Sequence, residues 1–269
     1  MRTARTVAKL RELLDGVDAG AEIGLVPTMG ALHAGHAALL AAARAECEVV
    51  VASLFVNPAQ FGPAEDFERY PRNEEADTRF AERAGVDYLF VPTAEEMYPE
   101  GFQTWVEVEE VAQGLEGAAR PGHFRGVATV CLKLFTIVRP RRAYFGQKDA
   151  QQAAVIERLV RDLELELEVR VVPTVRDADG LAVSSRNVYL TAGERAAART
   201  LPRALFAGAE AHRQDADAAA TARAVLAGEA GLAAEYVEVV RLNGRLVLAA
   251  AARVGGTRLI DNIVLEGAE

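Results

Sequence analysis

At 269 residues, 51% hydrophobic and 26% charged, the chain can form one large domain or two unequal ones with a sizeable core. Its net charge of −9 argues against a nucleic-acid-binding protein, which needs a basic face to displace counterions. A local site for a small anion, made by a few Lys, Arg and backbone N–H groups, remains open.

Cys47 and Cys131 are distant from each other and lie in apolar stretches, which reads as two buried thiols in a reducing compartment rather than half of a zinc site. The N-terminal MRTARTVAKLRELLDG is basic and lacks the apolar run of a secretory signal. No apolar window reaches the ~18 residues of a spanning helix, so a cytoplasmic location is expected.

Taken in chain order, Val7, Leu10, Leu13, Leu14 and Val17 recur at helical spacing, and Ile23 to Val26 reads as a short strand. The loop PTMGALHAGH leads into an Ala/Leu helix over 37–47. VVVASLFV (49–56) is β-branched and apolar enough for a strand buried on both faces. Asn73, followed by Glu74 and Glu75, predicts a capped helix ending at Gly85, and 86–91 reads as another strand. A helix over 132–138, a strand over 142–145, a helix over 150–163 and a strand over 167–172 complete the alternation. Such alternation predicts a Rossmann-like α/β domain, a parallel sheet flanked by helices with ligands at the carboxyl ends of its strands.

The pattern changes after Pro173. Thr191-Ala-Gly-Glu194 resembles a capping box opening a helix to about His212, and a second helix spans about 216–230. Three strand-like segments follow, over 235–240, 245–250 and 257–264. We expect a smaller C-terminal α+β domain over 175–269, joined to domain 1–174 by a hinge near 173–176. No internal repeat is present.

His33-Ala-Gly-His36, between a strand and a helix, puts two imidazoles on one side of a helix start, where unpaired N–H groups and the helix dipole suit a phosphate. A helix cap is the plain alternative; HEXXH is absent and no third ligand lies nearby, so no metal site is assigned. Lys148 in Gly146-Gln147-Lys148-Asp149 can meet a phosphate and Asp149 can cap a helix or meet a hydroxyl or Mg²⁺; an ordinary turn explains the four residues equally. Ser184-Ser185-Arg186-Asn187, after the loop 176–180, could close over a triphosphate or be a polar surface loop. Gln60 and Gln152 are amides able to read carboxylates and hydroxyls, and Asn57 can serve a turn. Walker, GxGxxG and GxSxG motifs are absent.

An early HxGH with a later serine/basic loop resembles the nucleotidyltransferase superfamily that includes class I aminoacyl-tRNA synthetases. The ordered set PTMGALHAGH, FVNPAQF, Tyr70-Pro71-Arg72, PGHFRGV, FGQKDAQQ, VPTVRDADGLAVSSRN and TRLIDNI is similar to the pantothenate synthetase family across almost the whole chain. The resemblance implies an AMP-forming ligase that joins pantoate to β-alanine through a pantoyl-adenylate, with Mg²⁺ bound to ATP. It places ATP on Pro27, Thr28, Met29, Gly30, Ala31, Leu32, His33, Ala34, Gly35, His36, Gly146, Gln147, Lys148, Asp149, Val175, Val183, Ser184, Ser185 and Arg186. His33, as proton donor, His36, Lys148, Ser184, Ser185 and Arg186 would act on the reacting phosphates. Gln60 would touch pantoate and β-alanine and Gln152 would hold pantoate, with Asn57, Tyr70 and His123 as neighbours. Val183 stands where the family often has Met, and Gln147 where an acidic residue is common. The family implies a homodimer, and no nucleic acid or membrane partner is expected. The rival readings are another adenylate-forming member of the superfamily and a non-catalytic ATP-binding regulator.

Overall fold

A computed structural model describes residues 1–63, 65 and 67–265. It divides into two compact units: Met1–Gly146 with Gln151–Val172, and Gln147–Ala150 with the chain from Pro173 onward. The four residues 147–150 thus group with the second unit although they lie inside the sequence of the first.

The first unit contains β1 (Arg2–Ala4), α1 (Val7–Leu14), β2 (Ile23–Thr28), α2 (Ala34–Glu46), β3 (Val49–Leu54), α3 (Glu74–Arg83) and β4 (Tyr88–Phe90). It continues with the short α4 (Ala94–Met97) and α5 (Leu115–Ala119), then α6 (His123–Val138), β5 (Arg142–Gly146), α7 (Ala150–Asp162, all but its first residue) and β6 (Glu168–Val172). The six strands form a parallel sheet in the order β1-β4-β3-β2-β5-β6. Leu25, Phe90, Phe135, Phe145 and Ile156 belong to one buried cluster of this unit, and Leu40, Val50, Leu89 and Tyr144 to another.

The strand order fixes where a ligand belongs. From β2 the chain moves outward through β3 and β4; it then returns to lay β5 against the other side of β2, with Gly24 opposite Arg142 and Leu25 opposite Ala143. The order reverses between β2 and β5, and the loops leaving the carboxyl ends of those strands border the crevice used by open α/β sheets.

Helix α6 begins nine residues before the helix expected from sequence. Of residues 123–131 only Arg125 is exposed, so no amphipathic stripe marks its start. The strand β1 has no counterpart among the expected elements: it has three residues, two of them exposed, and is held by parallel pairing with β4.

The second unit has α8 (Ala192–Ala198), α9 (Thr200–Arg213) and α10 (Ala218–Ala227), followed by the antiparallel sheet β7 (Ala233–Leu242), β8 (Arg245–Val254) and β9 (Thr257–Val264) in that order. Thr191 and Glu194 form the expected capping box. The single helix expected to reach His212 is two helices. Pro202 has no N–H to offer the preceding turn, so it sits in the first turn of a new helix instead. Leu201, Leu205 and Leu226 pack with Leu248, Ala250 and Ala252 of β8, whose small side chains let the helices approach. No helix among the described residues is long and apolar enough to cross a membrane.

Candidate active site

The PTMGALH loop leaves β2 at the switch point and turns directly into α2. His33 is the N-cap of α2: its Nδ1 accepts from the N–H of Gly35 at 3.1 Å, and His36 Nδ1 accepts from the N–H of His33 at 3.2 Å. This reciprocal capping box uses two of the helix's orphan donors. It also fixes both rings, whose centroids lie 4.1 Å apart, because an Nδ1 that accepts leaves the ring hydrogen on Nε2. The cap and the phosphate-donor readings of HxGH are therefore compatible, because the capping bonds are made through Nδ1. A Cβ on residue 35 would stand 2.9 Å from His33 Cε1, which explains the glycine inside the motif.

Asp77 of α3, which sequence reasoning missed, holds this loop from outside. Its buried carboxylate accepts from the N–H groups of Ala31 at 2.9 Å and Leu32 at 2.7 Å. Ala31 has φ 51°, a left-handed conformation that costs a non-glycine residue roughly 1–2 kcal/mol, and these charge-assisted bonds offset it.

The strand β3 ends at Leu54 and delivers Asn57 to the 3-10 turn Pro58–Gln60. Asn57 Nδ2 donates to Gln60 Oε1 at 3.0 Å and to the Gly126 carbonyl at 3.1 Å; Tyr98 donates to Asn57 Oδ1 at 2.9 Å. Gln60 Nε2 reaches Met29 Sδ at 3.1 Å, joining this turn to the β2 loop. Burial raises the Tyr98 phenol above its ordinary range, so it remains a donor. Tyr70 is buried with its ring edge-on to Phe61.

His123, at the start of α6, completes the group. Arg120 can only donate, so its Nη1 gives a hydrogen bond to His123 Nε2 at 3.0 Å and the ring's Nδ1–H donates to the Gln60 carbonyl at 2.9 Å. Arg120 in turn holds Glu65 with two bonds of 2.9 and 2.6 Å. Burial opposes charge on Glu65, but its hydrogen bond to Arg120 prevails and lowers the carboxyl.

Burial and the adjoining Arg120 push the His123 imidazole down from 6.5 to about 4. As pH falls, the unfolded chain takes up this proton first, so stability is lost between about pH 6.5 and about pH 4. This ring contributes on the order of 3 kcal/mol to that loss. His123→Asn keeps a donor for Gln60 and removes the titration. Urea unfolding is therefore expected to show a smaller loss of stability for the variant than for the parent between about pH 7 and about pH 4.5; equal losses would contradict the assignment.

Gln152 on α7 is half-buried and makes no side-chain hydrogen bond among the described residues, while its neighbour Gln151 is fully engaged. Gln151 Nε2 donates to the carbonyls of Val111, Gln113 and Gly114, and its Oε1 accepts from the N–H of Glu116. Gln151 is a structural staple; Gln152 remains the candidate substrate-binding amide of the pair.

Gly146 ends β5 in the first unit, and the remaining candidates belong to the second. Gln147–Asp149 forms a 3-10 turn in which Lys148 Nζ lies 3.9 Å from Asp149. Val183 N–H donates to the Val175 carbonyl, and Arg176 bridges to Ala182, closing the loop that presents Ser184, Ser185 and Arg186. Ser184 caps the 3-10 turn Ser185–Tyr189 by accepting from Arg186 N–H at 3.3 Å. Among the described residues, no group of three or more His, Cys, Asp or Glu could hold a metal ion.

Comparison with known proteins identifies the family and the fold. The pantoate-beta-alanine ligase family model matches residues 2–264. A pantothenate synthetase of Acidobacterium capsulatum is 52% identical over 290 aligned positions, covering 98% of this chain and 97% of the relative. The crystal structure of pantothenate synthetase from Thermus thermophilus is 47% identical, with a TM-score of 0.94 over 99% of this chain and 100% of that one. A pantoate-beta-alanine ligase from Francisella tularensis, solved in complex with beta-gamma ATP and β-alanine, is 34% identical with a TM-score of 0.86, covering 100% of this chain and 99% of that one. With the family model running from the first strand to the last, and near-full-length relatives at about half identity, the chain belongs to the pantoate-beta-alanine ligase family.

Proposed function

We infer that this chain condenses pantoate with β-alanine and ATP to give pantothenate, AMP and pyrophosphate, with pantoyl-adenylate as the intermediate. The observation that carries the reading is the His33–His36 capping box, which fixes two imidazoles at the helix N-terminus that follows β2, beside the sheet's switch point.

In the first step a pantoate carboxylate oxygen bonds to the α-phosphorus and the bond from that phosphorus to the bridging oxygen breaks, so pyrophosphate leaves with the electron pair. His33 and His36 Nε2–H, Lys148, Ser184, Ser185 and Arg186 supply donors for the charge that accumulates. Mg²⁺ carried by ATP would supply positive charge to the leaving pyrophosphate. In the second step the free amine of β-alanine attacks the acyl carbon, its proton is lost, and AMP departs. Gln60, with Asn57 and His123 behind it, and Gln152 hold the substrates. Exclusion of water from the site would protect the adenylate from hydrolysis. The enzyme would act in the cytoplasm as a homodimer, as expected of a biosynthetic member of this family.

Asp77 gives this reading a positioning test. Asp77→Ala removes both anchors of the ATP loop and is expected to raise the KM for ATP by about tenfold while leaving the KM for β-alanine near the parent value. Initial rates with each substrate varied in turn check it, and an unchanged KM for ATP would refute the role. The activity itself is tested by incubating the protein with ATP, pantoate and Mg²⁺ and then adding β-alanine. AMP and pantothenate should form together; no AMP release on adding the amine would overturn the function.

A further inference from the structure

The last strand, β9, carries two consecutive polar residues that are both nearly inaccessible, Asp261 at 2% and Asn262 at 5% exposure. Neighbours along a strand point to opposite sides, so burying both demands a polar partner on each side. Asn262 finds its partner in the Lys148 turn. Its Nδ2 donates to the carbonyls of Gln147 at 2.9 Å and Lys148 at 2.8 Å, and its Oδ1 accepts from Gln147 Nε2 at 2.9 Å. Both amide donors and one acceptor site are thereby spent on two successive residues.

Asp261 finds its partner in the base of the other phosphate-facing segment. Its carboxylate receives parallel hydrogen bonds from Arg176 Nη1 at 2.6 Å and Nη2 at 3.0 Å, and a third from the N–H of Asn262 at 2.8 Å. Arg176 Nη1 also donates to the Gly180 carbonyl at 3.2 Å, and the guanidinium lies 5.1 Å over the Phe206 ring. This arginine is the residue whose backbone bridges Ala182, one step before Val183 and the Ser184–Arg186 loop. Burial opposes charge on Asp261; Arg176 and, more weakly, Lys148 favour it.

We propose that Asp261 and Asn262 are positioning residues for adenylation, fastening the Lys148 turn and the Ser184–Arg186 loop to one strand so that their donors meet the triphosphate in a fixed mutual geometry. Neither touches the substrate. The arrangement explains why residues 147–150 group with the second unit: Asn262 binds them there. A displacement of about 1 Å in such a group can cost about 10²-fold in rate, so hydrogen bonds remote from the chemistry can still govern it.

The proposal rests on Lys148 facing the phosphates, and a double-mutant cycle separates the two claims. Pantoate-dependent kcat/KM for ATP is measured for the parent, Lys148→Ala, Asn262→Ala and the double variant, with melting curves for each. Asn262→Ala is expected to lower kcat/KM by about 10- to 10²-fold in the parent background. In the Lys148→Ala background it should lower it by less than about threefold, because the group it positions is gone, and the KM for β-alanine should stay at the parent value. Equal losses in the two backgrounds would overturn the proposal and leave Asn262 a residue of the fold alone. Parental turnover in Lys148→Ala would instead remove the underlying reading, and the proposal with it. Should Asn262→Ala not fold, Asn262→Asp keeps the size and the acceptor for Gln147 while losing both donors, and runs the same cycle. Asp261→Asn paired with Arg186→Ala tests the other half: coupled losses are expected, and additive ones contradict it.

Discussion

Replacing His33 with asparagine is expected to lower turnover by about 10²-fold while leaving the melting temperature within a few degrees of the parent's. The reasoning follows from the two nitrogens of one ring. Nδ1 is the N-cap acceptor for α2, a duty that asparagine performs as well as any residue. In the proposed function Nε2–H is the donor to the developing phosphate charge, and asparagine is too short to replace it. His33→Ala loses both and should cost about 1 kcal/mol of stability in addition to the same catalytic loss. Lys148→Ala is expected to fall by a similar factor with little change in stability. Single-turnover measurement of pantoyl-adenylate formation distinguishes chemistry from product release. Near-parental rates in His33→Asn would leave the histidine with only its capping role.

The second large effect is on the fold. Gly126→Ala is expected to destabilise the protein by on the order of 3 kcal/mol, although alanine is about 1 kcal/mol the better residue in a helix interior. A Cβ at 126 would overlap the carbonyl of Ala59 and stand 2.6 Å from the N–H nitrogen of Gln60. Both are backbone atoms of the turn carrying Asn57 and Gln60, so relief requires moving the turn itself, and turnover should fall with stability. Gly193→Ala in α8 is the control: its Cβ meets nothing within 4 Å, and it should be neutral or slightly stabilising. Urea denaturation of the two variants decides the matter; a Gly126→Ala protein as stable as the parent would show that α6 and the Pro58–Gln60 turn can separate at no cost.

The elements that sequence disclosed are those whose cause is local. VVVASL, the first six residues of the expected strand, is a strand because β-branched apolar residues suit a sheet covered on both faces, and Asn73, Thr191 and Glu194 announce helix starts by short-range hydrogen bonds. His33 and His36 could be paired because both lie on one turn. What stayed hidden acts across long sequence separations. Asp77 meets the β2 loop some 45 residues away, Arg120 reaches Glu65, and Asn262 binds a turn more than a hundred residues earlier. Each reads in sequence as an ordinary polar residue. Gln151 and Gln152 show the same limit at short range. Adjacent positions on a helix differ by about 100° in direction, and only packing shows that Gln151 is the buried one. The α8–α9 break and the early start of α6 escaped for related reasons, a proline acting at the first turn and a helix whose first two turns leave only Arg125 exposed.

The central claim is that this chain activates pantoate at its carboxylate before the amine takes part. Exchange of labelled pyrophosphate into ATP tests it most directly, run with Mg²⁺ and without β-alanine. Exchange should be absent with ATP alone and appear on adding pantoate, since reversal of adenylate formation needs no amine. Exchange supported by an amino acid in place of pantoate, or none with pantoate, would contradict the account.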